Sequence, residues 1–308
     1  MNQRMSTTAL TEAAMLGAVM VVLSLLAFYL VPYLALIIPL PVIVLVVRRG
    51  LRTGIITTIV TSLIMGFFDP LLVIVILFEI GVVGIALGQA IRESFSPVLT
   101  LVLGIAAALV ANLLLLAVSF YLLDVSIVED FTTMLNETFE IIERMDLGQA
   151  LPPEQISMFV DMLKRLLPAM LLISVGVTVT INYGLSILVF RRLGMEIKGW
   201  TPFKRWQMPM PLGVAIVIVQ LSDLVIPYPQ DHWSLTLMMN LKLVLMTIAF
   251  IYGVALVWFY LDKYQVPTLG RVIILFLLFF NPLFYLLVTW AAILDVWFDF
   301  RKLKEERV

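Results

Sequence analysis

Apolar runs close to the length of a bilayer crossing recur from one end of this 308-residue chain to the other. A helix needs about 20 apolar residues to cross a hydrocarbon core of ~30 Å. Residues 10–31, 70–91, 97–122, 166–190 and 233–261 approach or exceed that length, while 33–48, 53–67 and 210–227 are shorter. The last block, 269–298, is interrupted by Asn281-Pro282. No soluble core could bury them all: with 62% hydrophobic and 13% charged residues, the chain lies outside the soluble range. The expected fold is all-α, a polytopic transmembrane bundle of about eight to ten spans, some short or broken. The lipid bilayer is its first partner. The first apolar segment is not a short run followed by a small-residue cleavage site, so it reads as retained.

Lysine and arginine in short loops set the orientation. Arg48, Arg49 and Arg52 follow the second span and Arg92 the fourth. Arg191, Arg192, Lys198, Lys204 and Arg205 follow the sixth, and Lys263 the eighth. The alternate loops carry Asp69, an acidic interlude and "PQDHW". This puts the N-terminus in the cytoplasm and 123–165 outside. The C-terminal "FRKLKEERV" is also basic, and it lies inside if Asn281-Pro282 breaks 269–298 into a hairpin of two short helices. Proline removes a helical N–H and permits such a break. One long, kinked span with an outer tail is the alternative. The organisation is then five spans over 1–122, outer amphipathic helices over 123–165, and a sixth span over 166–192. An interfacial segment over 193–209 leads to the C-terminal spans, 210–308.

The interlude opens on "SIVE" at 126–129, a capping box that starts a helix. Val128, Phe131, Leu135, Ile142 and Met145 follow at helical spacing. After "GQALPPEQ", Ile156, Phe159, Val160, Leu163 and Leu167 carry the period into span six. Two amphipathic outer helices follow from this pattern: a lid, a partner surface or an interfacial rest. On the other side, "KGWTPFKRWQMP" mixes Trp200, Phe203 and Trp206 with basic residues, as suits an anionic leaflet.

The chain has no cysteine, so disulfides, thiolate catalysis and cysteine metal sites are excluded. Its single histidine, His232, falls in an outer loop. No metalloprotease, phosphate-loop, nucleophile-elbow or dinucleotide motif is present. We therefore expect no enzyme activity, no cofactor and no metal. The net charge of −1 balances loops of opposite sign and gives no reason to expect nucleic acid.

Polar groups at membrane depth remain the candidates, because hydrocarbon makes them costly. Glu79 interrupts "LLVIVILFEIGVVG", Lys242 interrupts "LMMNLKLVLM", and Asp223 lies near the outer end of its span. Asn112, Asn182, Tyr183, Gln220 and Asn240 complete the set. Glu79 and Lys242 each lie nine residues past an outer entry, about 13 Å deep, and read as an inward-facing pair with Asp223 as the competing partner. The asparagines also fit plain interhelical bonding. Small-residue rows mark close packing at Gly81, Gly84 and Gly88, at Gly104, Ala107, Ala108 and Ala111, and at Gly176, Thr180 and Gly184. The first span is small on two adjoining rows, Ala13 with Gly17 and Ala14 with Ala18, and so can serve two neighbours.

Several of these stretches resemble the YybS family of bacterial membrane proteins over nearly the whole length. They are "TTALTEAAMLGAVMVVLS", "RRGLRTGI", "MGFFDPLL", "FRRLG" and "ILDVWFDFRK". The resemblance implies the bacterial cytoplasmic membrane. More loosely, residues 10–192 resemble the substrate-binding subunits of energy-coupling-factor vitamin transporters, which have six helices with both ends cytoplasmic. Their first helix docks on a transmembrane coupling partner through an A-x-x-x-A stripe, and Ala14 and Ala18 are the matching positions. That resemblance implies capture of a small molecule, with a partner ATPase supplying energy. The spans after 193 lie outside it.

Two functions follow. One is a substrate-binding or transport subunit. The other is a non-transporting scaffold or regulator that binds other membrane proteins. An outward-open polar cavity reached by Asn112, Asn182 or Tyr183 marks the first, and a solidly packed bundle there marks the second.

Overall fold

Proline decides where several of the helices begin. In the computed structural model, which describes residues 7–123, 126–144, 152–226, 228–229 and 232–303, proline is the first residue of five helices. A helix's first N–H has no partner, so proline loses nothing there, and its fixed φ suits the turn. These five are α2 (Pro39–Arg49), α4 (Pro70–Val75), α6 (Pro97–Leu123), α8 (Pro153–Arg192) and α12 (Pro282–Phe298). The others are α1 (Thr7–Tyr29), α3 (Leu51–Met65), α5 (Val82–Arg92), α7 (Ile127–Arg144), α9 (Met210–Leu221), α10 (Trp233–Lys263) and α11 (Thr268–Phe280). Every regular element among the described residues is helical, and six helical stretches are long and apolar enough to cross a bilayer. The protein is an all-α, multi-pass membrane protein.

The chain divides into two units, one of residues 1–148 with 174–199 and one of 149–173 with 200–308. In the first, α2 is the hub, buried from Pro41 to Val46. Gly84 and Gly88 of α5 seat it: a Cβ on Gly84 would lie 2.6 Å from Val42, and one on Gly88 2.7 Å from Val46. On α3, Thr53, Thr57, Thr58, Thr61 and Ser62 are buried, while Ile55, Ile56, Ile59, Val60, Leu63 and Ile64 are exposed. Lipid explains the inversion, since small hydroxylic residues pack helix against helix while branched aliphatics meet acyl chains. One end of this unit gathers charge. Arg48 and Arg49 both pair with Glu12, Arg92 reaches the Val46 carbonyl, and Lys198 donates to Ser94 O at 2.8 Å.

In the second unit, α10 and α12 approach so closely that Gly253 lies against the Val288 carbonyl. Here too, basic residues meet at one end. Asp262 at the end of α10 accepts from Lys204 at 2.9 Å and Arg271 at 2.6 Å. Asp295 and Arg301 form a fully buried pair, bonded at 2.8 Å. The Tyr260 hydroxyl donates to Phe300 O at 2.9 Å. Helices α11 and α12 meet at 96° at Asn281-Pro282, and the Asn281 side chain caps α12. Both legs of this V are tied to the last turns of α10.

Three expectations change. The second outer amphipathic helix is not a separate element: it is the start of the 40-residue α8, which runs on through Pro168 into span six. Span eight extends to 31 residues. Gly176, expected to face a packed neighbour, has open space before it. Ser126 does cap α7, its hydroxyl accepting from the Glu129 N–H at 3.3 Å. Met145 and the first half of "GQALPPEQ" lie outside the described residues, as does the chain after 303.

Candidate functional site

Helix α1 is set in place by its first turns. Glu12 accepts from Arg48 at 2.8 Å and from Arg49, so the start of α1 is clamped to the end of α2. That rotation turns Ala13, Met20, Ser24 and Ala27 inward, where all four are buried. Gly17 belongs to the same face: a Cβ on it would lie 3.2 Å from Thr57 and 3.5 Å from Thr61. The adjoining row, Ala14 and Ala18, is exposed and flanked by exposed Leu10, Met15, Val19 and Val22. One small row thus packs against α3, and the other is left open.

The amide and phenol candidates of the first unit are engaged in its interior. Asn182 is fully buried and donates to Leu36 O at 2.7 Å and Thr178 O at 2.9 Å. Its Oδ1 is buried without a partner. Tyr183, 1% exposed, donates to Lys198 O at 2.7 Å. Asn112 donates to Ala108 O of its own helix at 2.9 Å. These are the bonds of a packed bundle, and they fix backbone instead of facing a shared opening.

The charged candidates go in two directions. Lys242 pairs with Asp223, with side chains 17% and 62% exposed. Lys242 lies nine residues into α10 and precedes Asp262 by twenty. Asp223 arrives at the pair because α9 is short and closes in a 3₁₀ turn, Ser222–Leu224.

Glu79 does not face inward. It is exposed, and among the described residues no hydrogen bond or ion pair engages it. The cause is a π-helical turn, Ile76–Gly81, between α4 and α5. Leu72, Ile76, Ile80, Gly84 and Gly88 recur every fourth residue and are all buried. A regular α-helix of 3.6 residues per turn would let that row drift off its neighbours, and the wider π-turn holds it in place. Glu79 is carried off the packing face.

Beside Asn240 in the second unit lies a cavity of about 620 Å³ lined by Met158, Phe159, Met162, Leu235 and Met239, with Gln155, Asp161 and Arg165 at its polar margin. Its lining suits an apolar or amphiphilic molecule. Two features escape a reading of single residues. The hydroxyl row of α3 shows in the sequence as Thr and Ser at helical spacing, and the Asp295–Arg301 pair as opposite charges closing an apolar run. His232 caps α10, accepting from the Ser234 N–H. Among the described residues, no group of three or more acidic or histidine side chains is placed to hold a metal.

The sequence matches the family described as "Predicted membrane protein (DUF2232)" over residues 18–296. It is 27% identical over 312 residues to the uncharacterized protein YybS of Bacillus subtilis (strain 168), covering 96% of this chain and 98% of that one. No solved structure matches it. With nearly its whole length matched, the chain belongs to the DUF2232 family of membrane proteins.

Proposed function

We propose that this protein is a non-enzymatic docking subunit of the bacterial cytoplasmic membrane, one that binds another integral membrane protein through Ala14 and Ala18. The observation that carries the reading is the division of labour on α1: Ala13 and Gly17 pack internally, and the Ala14–Ala18 row stays open. Lipid chains gain nothing from a small-residue face, whereas another helix gains close backbone approach. The resemblance to transporter subunits that dock by such a stripe supports the same face. Its implied occupant is a transmembrane coupling subunit with an ATPase. The engaged Asn182 and Tyr183 side chains favour docking over a ligand cavity within the first six spans. The basic ends of both units are taken as cytoplasmic.

The test is Ala14→Leu with Ala18→Leu, compared with Gly17→Leu. The double variant keeps its thermal stability in detergent and loses a membrane protein that co-purifies with wild type. Gly17→Leu, which meets Thr57 and Thr61, loses stability itself. Severe destabilisation by the alanine pair overturns the docking face. A substrate-binding reading rests on the Met-rich cavity beside Asn240, and retention of an amphiphile through purification, lost in Met239→Trp, supports it.

A further inference from the structure

Glu79 lies near the centre of a helical stretch of membrane-crossing length. Pro70–Arg92 is 23 residues, about 34 Å, close to the ~30 Å hydrocarbon core. Asp69 caps one end and Arg92 closes the other, which places Glu79 about 15 Å from the first and 20 Å from the second. The side chain is exposed there, on the only acidic residue of the span. The elements packed against the π-turn offer no counter-charge at that level. Helix α6 and α4 carry no charged residue, and α3 carries only Arg52. The charges of α2 and α5 are Arg48, Arg49 and Arg92, all in last turns at the basic end.

A carboxylate in hydrocarbon without a partner is far costlier than the neutral acid, which loses only hydrogen bonds. The π-turn is a second, independent mark, since such turns interrupt α-helices frequently at functional sites. We propose that Glu79 is a proton-binding site at mid-membrane, a carboxylic acid presented by the π-turn to the lipid-facing surface. Its ligand is the proton. The proposal does not rest on the Ala14–Ala18 face, and the two readings fail separately.

A hydrophobic carbodiimide, dicyclohexylcarbodiimide, tests this on the full chain in native membranes. The acid adds across one C=N bond: its proton goes to nitrogen and its oxygen to carbon, and the adduct rearranges to a stable N-acylurea. Nothing leaves, so the chain gains the whole reagent mass. The expected result is one label, mapped to Glu79 by mass spectrometry and reduced to background in Glu79→Gln. A water-soluble carbodiimide with glycine ethyl ester leaves Glu79 unlabelled. No label from the hydrophobic reagent, with reactive control carboxyls labelled in the same membranes, overturns the proposal in favour of a covered or ion-paired group. Equal labelling by the soluble reagent also overturns it, since Glu79 then lines a water path. Because wild type alone decides the main outcome, the result stands even if the variant folds poorly.

Discussion

Asn240 repairs α8 beside Pro168. Its amide nitrogen donates to Arg165 O at 2.6 Å, and its Oδ1 accepts from the Ala169 N–H at 2.7 Å. Those two backbone groups are a donor and acceptor one turn apart, next to a proline that interrupts the helical ladder. The same nitrogen also donates to Thr236 O on its own helix at 2.7 Å. Asn240→Leu should therefore cost about 1–3 kcal/mol, the range for stranding buried polar partners. Restoring the ladder with Pro168→Ala should shrink that loss. Unfolding in detergent across the four-variant cycle reads the coupling, and equal losses in both backgrounds would refute the repair.

The spans were legible because length and hydropathy suffice to place a helix in lipid. "SIVE" marked a cap. Rotation was not legible, for a local reason. The π-turn at Ile76–Gly81 follows from the spacing of Leu72, Ile76, Ile80, Gly84 and Gly88, which a fixed period of 3.6 assigns to a drifting stripe. It turned Glu79 out when polarity alone pointed inward. Asn182 and Asn240 were recognisable as amides at membrane depth, but their backbone partners include turns distant in the chain.

Two glycines on apolar helices should respond in opposite directions. A Cβ on Gly84 would meet Val42 at 2.6 Å and the Pro39 carbonyl at 3.0 Å, and the latter is backbone that cannot step aside. Gly84→Ala should lose about 1–3 kcal/mol by overpacking. Gly176 has nothing within 4 Å, so Gly176→Ala should be neutral or gain up to ~1 kcal/mol from helix propensity. Melting temperatures in one detergent compare them directly. Equal destabilisation would mean that the Gly176 face is packed.

The Asp223–Lys242 pair should behave asymmetrically. Lys242 is the buried member, 17% exposed against 62% for Asp223. Asp223→Asn strands an ammonium in a largely dry position, while Lys242→Met leaves a carboxylate that water can reach. The first should cost about 1 kcal/mol and the second less, the exposed geometry holding both near the surface-pair range. The double variant should recover most of the Asp223→Asn loss. Strictly additive losses in detergent stability would show that the two charges do not support each other.

The V of α11 and α12 makes the sharpest topological prediction. Arg271 in the first turns of α11 bonds Asp262, and Phe300 just past α12 is held by Tyr260, two residues earlier on α10. The bend of 96° keeps the two legs from forming one straight crossing. Thr268 and Lys302 are both exposed, near the start of one leg and beyond the end of the other. In this cysteine-free chain, Thr268→Cys and Lys302→Cys each give a single thiol. An impermeant maleimide should miss both in intact cells and label both once the membrane is opened. A Trp233→Cys thiol, at the opposite end of α10, should label from outside. Labelling of residue 302 but not 268 in intact cells would make α11 and α12 one kinked span. The buried Asp295–Arg301 pair would then need to lie at the outer face, away from the basic end that Lys204 and Asp262 build around it.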